Sequence, residues 1–172
     1  TAEPAAPPAA VAPPTAAAEP PVAEPPAPKP GLPQPATLQA ASPLGVALAN
    51  VLRDPFGSDI LTRLTQLGRY VEEAVRGDRV AEGVDALNAM IDLESKAPEG
   101  TARNSYAVIL KRTLPHEALM QIIPYLLEPR RADRASVVLR RVGDEAAELL
   151  LSLLATAQSL SERMAYLNTV RA

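Results

Sequence analysis

From Ser42 onward the apolar residues recur at helical spacing, in short runs that a cap residue, a glycine or a proline brings to an end. Leu44, Ala47, Leu48, Val51 and Leu52 fall at i, i+3, i+4, i+7 and i+8, one face of a helix. Ser42 is placed to cap it, with Pro43 at the first helical position, where a missing N–H costs nothing. Asp54, Pro55, Phe56 and Gly57 break the pattern. Ser58 is then placed to cap a second helix with the stripe Ile60, Leu61, Leu64, Leu67, Val71, Ala74 and Val75, and Gly77 suits its stop. A third runs from about Asp78 to Ser95 with Val80, Val84, Leu87, Met90 and Ile91 inward. Gly83 inside it costs about 1 kcal/mol relative to alanine, a sign that another helix approaches closely there.

The same punctuation continues. Thr101 opens a fourth helix holding Ala102, Tyr106, Ile109 and Leu110. Leu114 and Pro115 start a fifth, with Leu119, Ile122, Ile123, Leu126 and Leu127 inward and a kink expected at Pro124. Glu128 and Pro129 start a sixth, with Ala132, Ala135, Val138, Leu139 and Val142. Gly143 stops it, and Asp144 follows as the cap of a seventh that buries Ala147, Leu150, Leu151 and Leu154. Ser159 and Glu162 have capping-box spacing for an eighth, carrying Met164, Leu167 and Val170. No strand pattern survives. Helix starts near 43, 59, 79, 101, 115, 129, 144 and 160 recur at roughly 17 residues, a helix pair every 34 or so. The expected fold is all-α, antiparallel helix pairs stacked as a short α-solenoid, with a compact helical bundle as its rival.

Residues 1–41 follow a different rule. Thirteen of the nineteen prolines lie within residues 1–36, set in alanine, with Glu3, Glu19, Glu24 and Lys29 scattered among them. Proline removes donors and restricts its neighbour, and few side chains here are large enough to offset the ordering entropy. A disordered Ala/Pro-rich linker, biased to polyproline II, is expected over 1–41, followed by a helical-repeat domain over 42–172. The stretch Pro25, Pro26, Ala27, Pro28, Lys29 and Pro30 has the alternative reading of a ligand for an SH3-like groove.

Composition narrows the chemistry. Cysteine is absent, which excludes disulfides and thiolate chemistry and fits a reducing compartment. Aromatics are scarce (Phe56, Tyr70, Tyr106, Tyr125 and Tyr166), so leucine, alanine, valine and isoleucine must build the core. No run of apolar residues is long enough to span a membrane, and no secretory leader is visible. The net charge of −3 is unevenly spread: −4 over residues 43–99 and +5 over residues 100–142. That sign change suggests separate surfaces for different partners.

The segment Ser136–Leu154 (SVVLRRVGDEAAELLLSLL) joins a helix ending in a basic pair, a Gly-Asp turn and a leucine-rich second helix. It resembles the HEAT-repeat family. Arg76, Gly77 and Asp78, followed by Val80, Ala81, Val84 and Leu87, echo it, and Arg163–Val170 looks like the first helix of another unit. The resemblance is clearest over residues 100–172; over 42–99 it extends only to paired amphipathic helices. It implies a curved scaffold that binds proteins or, less often, nucleic acid, with no shared catalytic residues to carry over. The eighth helix has nothing after it to pair with, so the natural protein is expected to continue with further repeats.

Candidate chemistry is sparse. His116 is the lone histidine, with no second imidazole or thiol to share a metal, and reads as a surface residue. Glu72 with Glu73 and Glu145 with Glu148 read as solvated helix faces. No P-loop, nucleophile elbow or dinucleotide fingerprint occurs. The basic set Arg103, Lys111, Arg112, Arg130, Arg131, Arg134, Arg140 and Arg141 carries the functional reading: a surface for an acidic protein partner. Its alternatives are phosphate-backbone or nucleic-acid binding through 130–141, or a solvated face whose arginines pair locally with Glu128, Asp133 or Glu145. The sequence therefore points to a non-catalytic, cytoplasmic, bacterial-type protein-binding scaffold that needs no cofactor. A purely structural spacer between flanking domains is the other class of answer.

Overall fold

A computed structural model describes residues 42–171, and the expected proline-rich arm lies outside them. Eight α-helices follow in order: α1 (Pro43–Arg53), α2 (Ile60–Arg76), α3 (Val80–Lys96), α4 (Thr101–Thr113), α5 (His116–Ile122), α6 (Ala132–Val142), α7 (Asp144–Thr156) and α8 (Leu160–Arg171). No strand occurs among the described residues. Short connections fold α1 onto α2, α2 onto α3, α3 onto α4, α6 onto α7 and α7 onto α8. Longer steps tie the array together, chiefly α2 with α4 and α5, and α3 with α6.

Most helix starts fall where the apolar pattern puts them, and the caps explain why. The Ser42 hydroxyl accepts from Gly45 N–H at 3.0 Å. At α8 the box is complete: Glu162 N–H donates to Ser159 Oγ at 3.1 Å, and Ser159 N–H donates to the Glu162 carboxylate at 3.1 Å. The Ser159 N–H, with the Ser159 hydroxyl and the Gln158 N–H, holds the Glu162 carboxyl below its ordinary pKa.

Elsewhere the turns differ from expectation. Asp59, not Ser58, precedes α2, and its side chain makes no cap bond because Arg63 holds it. Asp144 is the first residue of α7 rather than its cap; Gly143, with φ 82°, occupies the cap position. Pro124 does more than kink the fifth helix. It removes an N–H and crowds the preceding turn, so α5 ends at Ile122 and a 3-10 segment, Ile123–Leu127, follows. The sixth helix begins at Ala132, leaving Pro129, Arg130 and Arg131 in the turn before it.

The core is aliphatic, as the scarcity of aromatics requires. Leu44, Leu64, Leu67, Leu87, Met90, Ile109, Leu110, Leu119, Ile122, Leu139 and Leu150 are fully enclosed, together with Tyr106. Each such leucine or isoleucine contributes about 1.5–3 kcal/mol relative to exposure. Leu52, Leu61, Leu127, Leu151, Met164 and Val170, expected inward, are instead exposed, because each lies at the edge of its stripe or where no helix covers that edge.

Two features set the spacing of the first four helices. Gly83 of α3 faces α2, where an added Cβ would stand 2.7 Å from Val75 Cγ2. Gly68 of α2 faces α4, where a Cβ would meet Ile109 Cγ2 and Thr113 Oγ1, both at 3.1 Å. The turn after α1 is then locked. Arg63 Nη1 donates to the Asn50 carbonyl at 3.2 Å and to the Asp54 carbonyl at 2.9 Å, closing the end of α1. Its other nitrogens hold the Asp54 and Asp59 carboxylates. The Asp59 carboxyl is held below its ordinary pKa by that bond from Arg63. Tyr106, on α4, donates its hydroxyl to the Pro55 carbonyl at 2.9 Å, across 51 residues of chain.

Gly83→Ala gains about 1 kcal/mol of helix propensity but forces a methyl into Val75, whose branched side chain has little rotamer freedom. Overpacking of this kind costs about 1–3 kcal/mol, so a net loss of about 1 kcal/mol is expected in urea unfolding. A gain would show that α2 and α3 part freely. Burial pushes the Tyr106 hydroxyl from 10.0 up to about 12. The unfolded phenol loses its proton first, so stability conferred by neutral Tyr106 is complete below pH 10 and lost as pH rises from 10.0 to about 12. Tyr106→Phe should flatten that alkaline decline while costing about 1 kcal/mol at neutral pH through the orphaned Pro55 carbonyl. Melting curves of both proteins across that range check it.

Candidate functional site

The eight basic residues divide into three groups once the helices are packed. Arg134 and Arg141 extend from α6 to α3. Arg141 takes the Glu94 carboxylate in a two-pronged grip, with Nε donating to Oε2 at 2.6 Å and Nη2 donating to Oε1. Glu94 is only 8% exposed, so this carboxylate depends on its partner for solvation. The bond to Glu94 in turn makes the Arg141 guanidinium harder to deprotonate. Arg134 Nη1 pairs with Asp85. Asn88 Nδ2 donates to the Arg134 carbonyl at 3.1 Å and to the Val84 carbonyl at 2.8 Å, a further tie between the same two helices.

Arg131 and Arg103 pair within their own segments. Arg131 Nη1 donates to Glu128 at 3.0 Å, and its guanidinium stands 5.2 Å from the centre of the Tyr125 ring, a cation–π contact. Arg103 lies 4.0 Å from Glu99 in an exposed pair one helical turn apart. Local pairing was expected with Glu128, Asp133 or Glu145; of these Glu128 is used, while Asp85, Glu94 and Glu99 take the rest.

Lys111, Arg112, Arg130 and Arg140 have no carboxylate within ion-pair distance among the described residues. Arg140 satisfies itself on Ser136 Oγ, at 3.0 Å from Nε and 2.6 Å from Nη2. Lys111 and Arg112 end α4, where positive charge favours the helix dipole, and both are exposed. Arg130 stands in the turn ahead of α6 rather than on its first turn, so it does not oppose that helix's dipole as a first-turn arginine would.

Lys111 and Arg141 meet at a groove of about 320 Å³ where α4 approaches the corner between α6 and α7. Ala107, Leu110, Leu114 and Val142 supply its apolar lining, and Glu145 of α7 supplies one carboxylate. A second groove, about 270 Å³ between α2 and α5, mixes Glu72, Arg76 and Glu117 around Val75 and Ala118. His116 is exposed as the first residue of α5. No group of three or more His, Asp or Glu poised for a metal occurs among the described residues.

Compared with protein-family models, curated proteins and solved structures, the chain matches none. The sequence reading overlooked Glu94 as an anchor. The signal was there, since Glu94 falls in register with Leu87 and Met90 on the buried stripe of α3. A carboxylate at such a position requires a cation from another helix.

Glu94→Ala should lower unfolding stability by about 1–3 kcal/mol, because it strands a guanidinium and opens the α3–α6 seam. Asp85→Ala, at a more exposed pair, should cost under about 1 kcal/mol. Parallel denaturant titrations check the ranking, and equal losses would show that Arg141 gains little from its buried partner.

Proposed function

We propose that the helical array is a non-catalytic protein-interaction scaffold of the HEAT-repeat type, acting in the cytoplasm of a bacterial cell. The observation that carries this reading is the unspent positive charge on α4, on α6 and in the turn before it. Lys111, Arg112, Arg130 and Arg140 project from a rigid frame without carboxylate partners among the described residues. Charge held out on a packed array favours encounter with an acidic surface and sets its register. The Ser136–Leu154 segment, which resembles a HEAT unit, forms a helix, a positive-φ glycine turn at Gly143 and a second helix, an arrangement that supports the family reading. Phosphate-backbone binding through 130–141 has weaker support, because Arg131, Arg134 and Arg141 are committed to carboxylates of this chain.

The full chain should capture a protein partner from nuclease-treated lysate, and reversal of the four unspent charges (Lys111→Glu, Arg112→Glu, Arg130→Glu, Arg140→Glu) should abolish capture. Quantified bands from wild type, variant and an Arg53→Glu control, each with and without nuclease, read the outcome. Capture that disappears with nuclease would transfer the function to nucleic acid. No specific capture in any lane would favour a structural spacer.

A further inference from the structure

We propose that the array is hinged: α1–α5 form one lobe, the 3-10 segment through α8 forms a second, and a charged latch between α3 and α6 closes them. The division follows the packing. Helix α2 gathers α1, α3, α4 and α5 around it, while the 3-10 segment, α7 and α8 gather around α6. Between the lobes the chief contact is α3 with α6, and α5 meets α7 over a smaller area. The chain crosses from one lobe to the other where α5 gives way to the 3-10 segment Ile123–Leu127. A 3-10 turn in a helical run is a weak point, because its hydrogen bonds are poorly aligned and Pro124 brings no N–H to the turn before it.

The seam these lobes share is short of apolar surface. Helix α6 buries three apolar side chains, Ala135, Val138 and Leu139, and divides them among α3, the 3-10 segment, α7 and α8. On one flank the lobes face each other across open space, the groove of about 320 Å³ between Leu110, Lys111 and Leu114 on one side and Arg141, Val142 and Glu145 on the other. Among the described residues, every side-chain hydrogen bond and ion pair across the seam joins α3 to α6: Arg134 on Asp85, Arg141 on Glu94 and Asn88 on the Arg134 carbonyl. Arg134 and Arg141 are 47% and 38% exposed, so water and ions reach the latch. Parting such pairs returns their charges to solvation by water, whereas parting packed leucines exposes surface that water disfavours. Closed, the array is one rigid frame. Open, it separates Lys111 and Arg112 on α4 from Arg130 and Arg140 on the other lobe. That consequence for partner binding rests on the scaffold reading; the hinge itself does not.

The chain has no cysteine, so spin labels attach only at introduced pairs. Glu73→Cys with Ser152→Cys reports across the seam, from α2 to α7, and Glu73→Cys with Val108→Cys reports within the first lobe; all three sites are exposed. Double electron–electron resonance on the full chain should show one dominant cross-seam distance, the closed form. Asp85→Asn with Glu94→Gln should raise a second, open population about tenfold. Sodium chloride at about 1 M, which shortens screening to about 3 Å, should move the wild-type chain the same way. The within-lobe distance should not change in either case. Asp78→Asn with Glu148→Gln removes the same charge at residues outside any ion pair and should leave both distances alone. A cross-seam distance unmoved in the folded latch variant would overturn the hinge. So would equal broadening of the within-lobe pair, or an equal response to the control substitutions. Circular dichroism checks folding; should the double variant unfold, Asp85→Asn alone, at the more exposed pair, decides by the same rise or its absence. Failed lysate capture would leave the hinge standing, and an unmoved distance would sink the hinge while leaving the scaffold reading intact.

Discussion

Helix α2 touches α1, α3, α4 and α5, and this crowding is what the first half of the fold is built around. A core of leucine, valine and alanine gains its cohesion from many short contacts, each tiny, so the helices must come close or lose them. Two glycines permit that approach, Gly83 under Val75 and Gly68 under Ile109 and Thr113. Once α2 is seated between its neighbours, the turn before it has one place to go. Arg63 and Tyr106 fasten it there through the carbonyls of Asn50, Asp54 and Pro55. The polar contacts secure a position that burial has already chosen.

The second half is attached by a different device. Contacts between α3 and α6 are reinforced by Arg141 on Glu94, Arg134 on Asp85 and Asn88 on the Arg134 carbonyl. Those acids belong to the negative half of the sequence and those arginines to the positive half. The opposite net charges of the two segments are therefore partly complementary inside one molecule. Only the remainder is available outside, and it concentrates at the end of α4, at Arg130 before α6 and at Arg140. A candidate surface inferred from charge along the chain shrinks accordingly, while what is left is better defined by the rigid frame beneath it.

This division explains what the sequence made legible. Most helix starts, the Ser42 cap and the Ser159 and Glu162 box are local events, written in residues at most a few positions apart. The pairing of Arg141 with Glu94 spans 47 residues, and nothing in spacing along the chain specifies it. Edge positions such as Leu52 and Leu61 fail for a related reason. Periodicity gives the centre of an apolar stripe, whereas its width depends on which neighbours arrive. Pro124 shows a third limit. Its effect was foreseen as a bend, but the outcome, a helix ended at Ile122 and a tighter turn in its place, depended on Ile123 and Leu126 still reaching the core.

Helix α8 presents the reverse balance. Leu160 is 76% exposed and Met164 is 49% exposed, so tertiary burial supplies little beyond Tyr166 and Thr169. Local bonds take up the burden. The capping box satisfies its first donors, and Arg163 folds back with Nε and Nη2 on the Ala157 carbonyl at 3.1 Å and 3.0 Å. A helix held mainly at its N-terminal end is the part of an array that opens at least cost, since local unfolding there exposes little that was not already in water. The α4 groove lies at the opposite extreme, floored by Leu110 and Leu114, which are 1% and 4% exposed. Opening the array there would bring that enclosed floor into water, so local unfolding costs correspondingly more at α4 than at α8.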